Sequence, residues 1–168
     1  MAIVNGDSAA NTLTGTILAD TIDGFEGNDT IYLSDGTDFI EGGAGNDLLT
    51  GFLGLNGWSS TAASTTYTIT ASTIVGGTLN TTFSGIERLS LYTPAVSFGD
   101  TIDASAWVPA GDPGAFLTLT IGTGNGSDTI TGSAYSDNIN AGGGANVIDA
   151  GVVTAIVAAR PALAVTLT

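Results

Sequence analysis

The chain has no cysteine, no histidine and no lysine, and its only cationic side chains are Arg88 and Arg160. Without cysteine there are no disulfides and no thiolate metal sites, and without histidine the commonest metal ligand and general base are missing. Any metal bound here is bound by oxygen. The 13 Asp and three Glu give a formal charge of -14. That charge argues against nucleic acid as a partner, because a phosphate backbone is neutralised by Lys and Arg. Long apolar runs are also missing. The longest, Val152 to Val165, is interrupted by Arg160-Pro161, so no membrane span is expected. The start, Met1-Ala2-Ile3-Val4-Asn5-Gly6, lacks the basic and apolar regions of a cleavable leader.

Acidity of this kind often marks disorder, but 43% of the 168 residues are hydrophobic, which is too many for a chain that cannot build a core. The length suits one domain. Within it three segments are distinguished by pattern: 1–58 and 121–168, which are repetitive, and 59–120, which is not.

The repetition has a period of nine. Asn11, Asp20, Asp29, Asp38, Asp47 and Asn56 fall on it, and two places after each stand Leu13, Ile22, Ile31, Ile40, Leu49 and Trp58. It returns as Asp128, Asp137 and Asn146, followed by Ile130, Ile139 and Ile148. Glycine-rich turn residues precede the polar position, as in Gly42-Gly43-Ala44-Gly45-Asn46-Asp47; glycine there permits turn geometries closed to other residues. Six turn residues and three extended ones make half a coil. Residues 18 apart are then expected to stack, with the apolar positions facing inward between two short parallel sheets. This predicts an all-β parallel β-roll, or β-solenoid.

Stacking places Asn11, Asp29 and Asp47 on one edge and Asp20, Asp38 and Asn56 on the other. Strands pair about 4.8 Å apart, so stacked carboxylates approach to about 5 Å and repel by about 3 kcal/mol at an effective dielectric near 20. With two Arg in the whole chain, the compensating charge is expected from outside. Divalent cations that take six to eight oxygens suit such turns, calcium better than magnesium. The other reading is a metal-free solenoid whose Asp and Asn form Asx turns. It is the better one for the glycine-poor repeats Gly6 to Asn11, Gly15 to Asp20 and Gly132 to Asp137.

The repetitive segments resemble the RTX family of hemolysin-type calcium-binding repeat proteins. Gly42-Gly43-Ala44-Gly45-Asn46-Asp47-Leu48-Leu49-Thr50 matches the whole family nonapeptide, and Gly24-Phe25-Glu26-Gly27-Asn28-Asp29-Thr30-Ile31-Tyr32 departs at its second position. Leu33-Ser34-Asp35-Gly36-Thr37-Asp38 and Thr123-Gly124-Asn125-Gly126-Ser127-Asp128 keep the fourth and sixth positions, and Ala141-Gly142-Gly143-Gly144-Ala145-Asn146 replaces the acid by Asn. The resemblance implies several calcium ions, held between alternate turns by Asp carboxylates and loop carbonyls. The candidate ligands it marks are Asp20, Gly24, Glu26, Gly27, Asp29, Asp35, Gly36, Asp38, Gly42, Gly43, Ala44, Gly45, Asp47, Gly124, Gly126, Asp128 and Gly143.

Residues 59 to 120 lose the period but keep strand-like alternation, as in Thr66-Tyr67-Thr68-Ile69-Thr70 and Leu89-Ser90-Leu91-Tyr92. Their pattern is similar to the wider, calcium-free coils of bacterial surface-layer solenoids; an inserted β-sandwich is the other reading. Glu87 and Arg88 are adjacent in a strand and so point to opposite faces, which predicts separate partners.

Three functions are weighed. The first is a calcium-dependent structural protein at the cell surface or outside the cell, exported without a cleaved N-terminal signal. It polymerises head to tail into a filament or surface layer, because no capping segment is evident at the first repeat or in the apolar stretch Ala155 to Thr168. That stretch also reads as a strand covering the core or as an export signal. The second is a calcium-stabilised adhesin or glycan-binding module, with cell-surface polysaccharide as partner; its Thr12, Thr21, Thr30 row is broken by Phe39 and Leu48. The third, an enzyme, has Asp100, Asp103 and Asp112 as its only acidic cluster outside the period and lacks an activating base, so none is expected.

Overall fold

The computed structural model describes residues 1–52, 66–77, 79–93, 99–111, 118–151 and 156–158. Among them every regular element is a strand: β1 (Ile3–Asp7), β2 (Thr12–Thr14), β3 (Thr21–Phe25), β4 (Thr30–Tyr32), β5 (Phe39–Glu41), β6 (Leu48–Phe52), β7 (Thr66–Thr70) and β8 (Thr73–Gly76). There follow β9 (Leu79–Ser84), β10 (Arg88–Tyr92), β11 (Thr101–Ala106), β12 (Leu119–Gly122), β13 (Thr129–Thr131), β14 (Asp137–Asn140), β15 (Val147–Asp149) and β16 (Ile156–Ala158).

The strands form two sheets. The nine-stranded sheet runs β1-β3-β5-β9-β8-β7-β11-β13-β15 and the seven-stranded one β16-β14-β12-β10-β6-β4-β2. Alternate strands of the period enter alternate sheets. Within each repetitive segment every pairing is parallel and shifted by 18 residues, as Thr21↔Phe39 and Ile31↔Leu49. The chain is an all-β parallel β-roll.

The register follows from side-chain alternation. The middle residue of each three-residue strand from β2 to β15 points between the sheets, and the pairing stacks Leu13, Ile31, Leu49, Leu89 and Leu119 in one row and Ile22, Ile40 and Phe83 in the facing sheet. Ile22, Ile31, Ile40 and Leu49 are wholly buried, each contributing about 1.5–3 kcal/mol of burial. A slip of one residue would move the whole row to the solvent face.

Both sheets continue through the non-repetitive middle, and there the sequence pattern conceals two things. Residues 40 apart pair where the period is interrupted (Leu49↔Leu89), and 30 apart at the next step (Leu89↔Leu119). The nine-stranded sheet also gains an antiparallel meander, β7-β8-β9, whose outer members pair in parallel with β11 and β5. Among the described residues the seven-stranded sheet has no counterpart to β7 and β8, which at about 4.8 Å per strand makes one wall about 10 Å longer at that level. Large side chains fill the interior there. Trp107 packs on Phe83 with ring centroids 5.8 Å apart and planes at 51°, and Ile69, Ile74 and Ile86 are buried beside Tyr67. Of the tail, Ile156–Ala158 pair in parallel with β14; Asn56, Trp58, Asp112 and residues 159–168 lie outside the described residues.

Candidate metal centre

Each turn ends on an Asp or Asn that leads into a strand, and the Asp side chains are buried although charged. Asp20, Asp29, Asp38, Asp47, Asp128 and Asp137 are all 3% exposed or less. A buried carboxylate needs donors on its oxygens. Half of the requirement is met in the same way along the roll: the backbone N–H of the stacked residue in the preceding layer donates to Oδ1. Asn11 donates to Asp29 at 2.7 Å, Asp29 to Asp47 at 2.8 Å, Asp20 to Asp38 at 2.9 Å, and Asp128 to Asn146 at 2.9 Å. Stacked acids are thus separated by peptide donors, a source of compensation that counting Arg and Lys overlooks.

The second oxygen divides the turns into two kinds. Oδ2 of Asp29, Asp47 and Asp128 is buried without any hydrogen-bond partner. In the turns that end on Asn11, Asp20, Asp38 and Asp137 the residue at the second position donates to the terminal side chain, whereas in Ala141 to Asn146 the Asn146 amide donates to the Ala141 carbonyl at 2.8 Å. Thr16 gives both its N–H (2.5 Å) and its hydroxyl (2.7 Å) to Oδ2 of Asp20, and the Ser34 hydroxyl donates to Oδ2 of Asp38 at 3.1 Å. Ser133 donates its N–H to Oδ2 and its hydroxyl to Oδ1 of Asp137, both at 2.7 Å. The Asp7 N–H meets Oδ1 of Asn11 at 2.6 Å.

The acid–base balance follows. Hydrogen bonds from Thr16 hold Asp20 below the usual carboxylate range. Burial pushes Asp47 up, aided by the charge of Asp29 and opposed by the Asp29 N–H and Arg88. Burial likewise raises Asp128, against the Asp100 N–H and the adjacent Thr123 hydroxyl; that hydroxyl is near Asp128 but outside hydrogen-bond geometry, so its oxygen and Asp128 Oδ2 both stay unpartnered. A proton or a cation on those open oxygens relieves the desolvation.

The glycines explain why the turns stack so closely. A Cβ on Gly43, at φ +100°, would lie 1.8 Å from the Phe25 carbonyl oxygen. On Gly24 it would meet the Gly42 carbonyl at 2.3 Å and Oδ2 of Asp29 at 2.4 Å. Carbonyls and open carboxylate oxygens therefore line the same cramped space. Glu26 pairs with Ala44, and Asn125 with Gly143, as single parallel bridges between stacked turns.

Of the candidate ligands, Asp29 and Asp47 with Gly24, Gly27, Gly42, Gly43 and Gly45 come together on one edge, and Asp128 with Gly124, Gly126 and Gly143 on another. The Glu26 side chain and Ala44 are exposed at the turn surface, and Asp35 is half-buried beside Gly36 in the turn that Ser34 closes. Among the described residues no three His, Cys, Asp or Glu side chains converge on one point. A metal here depends on backbone carbonyls for most of its ligands, as an oxygen-loving cation permits.

Two residues complete the ladders without any signal in the period. The Asp47 N–H donates to Oε2 of Glu87, 40 residues on, at 2.7 Å, and the Asp100 N–H to Oδ1 of Asp128 at 2.8 Å. Glu87 and Arg88 do have separate partners: the Arg88 guanidinium reaches the Asn46 carbonyl at 3.5 Å. Asp100 is a rung of the ladder, while Asp103 is exposed and accepts from Ser105.

The donor set fits calcium. Asp29, Asp47 and Asp128 would hold it through their open Oδ2 atoms together with carbonyls of the same turns, and the ion supplies the charge compensation that those oxygens lack. A family model described as the RTX calcium-binding nonapeptide repeat matches residues 5–40, 32–54 and 122–152, in four copies. No curated protein and no solved structure matches the chain. No helix among the described residues is long and apolar enough to cross a membrane. In both of its repetitive segments, this chain carries the calcium-binding nonapeptide repeats of the RTX family.

Proposed function

We propose that this chain is a secreted structural protein that folds on binding calcium and assembles head to tail into an extracellular filament or surface layer. RTX repeats are typical of secreted proteins, and a metal site whose ligands come together only in the fold makes binding and folding one event. The observation that carries assembly is the pair of end layers. The outer backbone edges of β1 and β2 at one end, and of β15 and β16 at the other, pair with nothing among the described residues. Ile3, Ile17 and Leu18 are exposed on the first layer. Within each sheet the two end strands run parallel to one another, so one copy could extend both sheets of the next in the register used inside the roll. A head-to-tail contact of that kind does not close, and it grows a fibre.

Electron microscopy of the purified chain in millimolar calcium, and again in EGTA, tests this. Filaments or sheets in calcium that dissolve in EGTA are the expected result; dispersed monomers in both conditions overturn it.

A second reading, binding of surface polysaccharide, is favoured by one feature. A groove of about 980 Å³ crosses the outer face of the seven-stranded sheet, lined by Tyr32, Tyr92, Thr50, Thr120, Asn138 and Asn140 among others. Aromatic faces flanked by amide and hydroxyl groups suit sugar rings. Binding of calcium-loaded monomer to a glycan array, abolished by Tyr32→Ala or Tyr92→Ala, would favour it over assembly.

A further inference from the structure

We propose that the residue at the second position of each six-residue turn decides whether that turn holds calcium or closes on itself without metal. The inference rests on the calcium reading and assigns it to particular turns.

In the closed turns the second residue is Asp7, Thr16, Ser34 or Ser133, and what it gives is a donor: its N–H, its hydroxyl or both reach the Asp, or in one turn the Asn, that ends the turn. In the open turns it is Phe25, Gly43 or Gly124, none of which has a hydroxyl. Phe25, at φ +68°, is the one non-glycine residue of positive φ among those described, and Gly43 has φ +100°. The N–H of Phe25 goes not to the acid that ends its turn but to Oδ1 of Asp23 at 3.0 Å. Oδ2 of Asp29, Asp47 and Asp128 is left buried and unpartnered, and those of Asp29 and Asp47 lie beside carbonyls of the stacked turn. Protein donors satisfy the acid in one case, and a cation must do so in the other.

The turn Leu33 to Asp38 separates this rule from the family pattern. It keeps the glycine at the fourth position (Gly36, φ +126°) and the acid at the sixth, yet the Ser34 hydroxyl occupies Oδ2 of Asp38. The rule assigns it no calcium.

The rule also places the ions on opposite sides of the two halves. Asp29 and Asp47 lead into strands of the seven-stranded sheet, whereas Asp128 leads into the nine-stranded one. The closed acids do the reverse, Asp20 and Asp38 leading into the nine-stranded sheet and Asp137 opening β14 of the other. Each half therefore has one edge fastened by metal and one fastened by the chain itself. Loss of calcium loosens one edge per half and leaves the other in register.

Calorimetric titration of Ca²⁺ into the EGTA-dialysed full chain tests the rule, with thermal melting in EGTA as a second readout. Asp47→Asn is expected to lower the calcium bound, and Asp38→Asn to leave it unchanged. Ser34→Gly is expected to bind more calcium than the parent and to melt lower in EGTA. Ser34→Ala, which removes the hydroxyl without adding glycine's freedom, is expected to change in the same directions, and Ser34→Thr in neither. Equal loss of calcium in Asp38→Asn and Asp47→Asn overturns the rule, as does parental capacity in both Ser34→Gly and Ser34→Ala. A parent chain that binds no calcium at all is a separate result, which removes the calcium reading and the rule with it.

Discussion

The backbone N–H of Asp47 donates to the Glu87 carboxylate at 2.7 Å across 40 residues of sequence. It is the joint at which the acid ladder of the first segment passes into the middle of the roll, and Glu87 stands where another repeat would have supplied an Asp.

Glu87→Ala leaves that buried N–H without an acceptor, which costs about 1–3 kcal/mol. Glu87→Gln keeps an oxygen in place and should lose less than half as much. Chemical denaturation of both variants at one calcium concentration makes the comparison. Equal losses would mean that the side chain matters for its volume and not for its hydrogen bond.

Gly43→Ala should weaken both fold and metal binding. Its Cβ would fall 1.8 Å from the Phe25 carbonyl at a φ of +100°, so the two stacked turns must separate. A loss of at least 1 kcal/mol is expected from the backbone alone, together with weaker calcium binding by calorimetry. Gly111→Ala is the control: its φ is +65° but nothing lies within 4 Å of the added methyl.

The dependence on pH should reverse with metal. Burial raises Asp38, Asp47, Glu87, Asp128 and Asp137 above the usual carboxylate range. The folded state then binds these protons more tightly than the unfolded chain does, so it gains stability as pH falls into the range just above ordinary carboxylates. Below that range both states are protonated and the gain ends. There the lowered groups Asp7, Asp20 and Asp103 begin to cost stability, because their folded-state ionisation is lost as pH falls through their depressed values. Melting temperatures in EGTA should therefore rise from pH 7 to mildly acid pH and then fall. In excess calcium they should fall throughout, since protons compete for the metal's oxygens.

Ile31→Ala removes a fully buried side chain stacked between Leu13 and Leu49. The expected cost is about 2–5 kcal/mol, measured by denaturant titration. Tyr32→Ala, one residue on and exposed on the outer face, should cost under about 1 kcal/mol. Similar values for both would contradict the assigned register.

The sequence by itself determined the roll. A nine-residue period with an apolar residue two places after each acid admits one way of burying every Ile and Leu that falls on it, so the 18-residue stacking, the two parallel sheets and the inward row were all legible. So was the oxygen-only chemistry, from the absence of Cys and His. Only the tertiary structure decided which acids are open. Whether Ser34 or Thr16 closes a turn depends on a hydroxyl reaching an oxygen four residues on, and whether stacked acids repel depends on peptide N–H groups that no count of charged residues includes. The meander β7-β8-β9 and the role of Glu87 were hidden for the same reason: they join residues by position in space after the period has lapsed, and a periodicity speaks only for what it repeats.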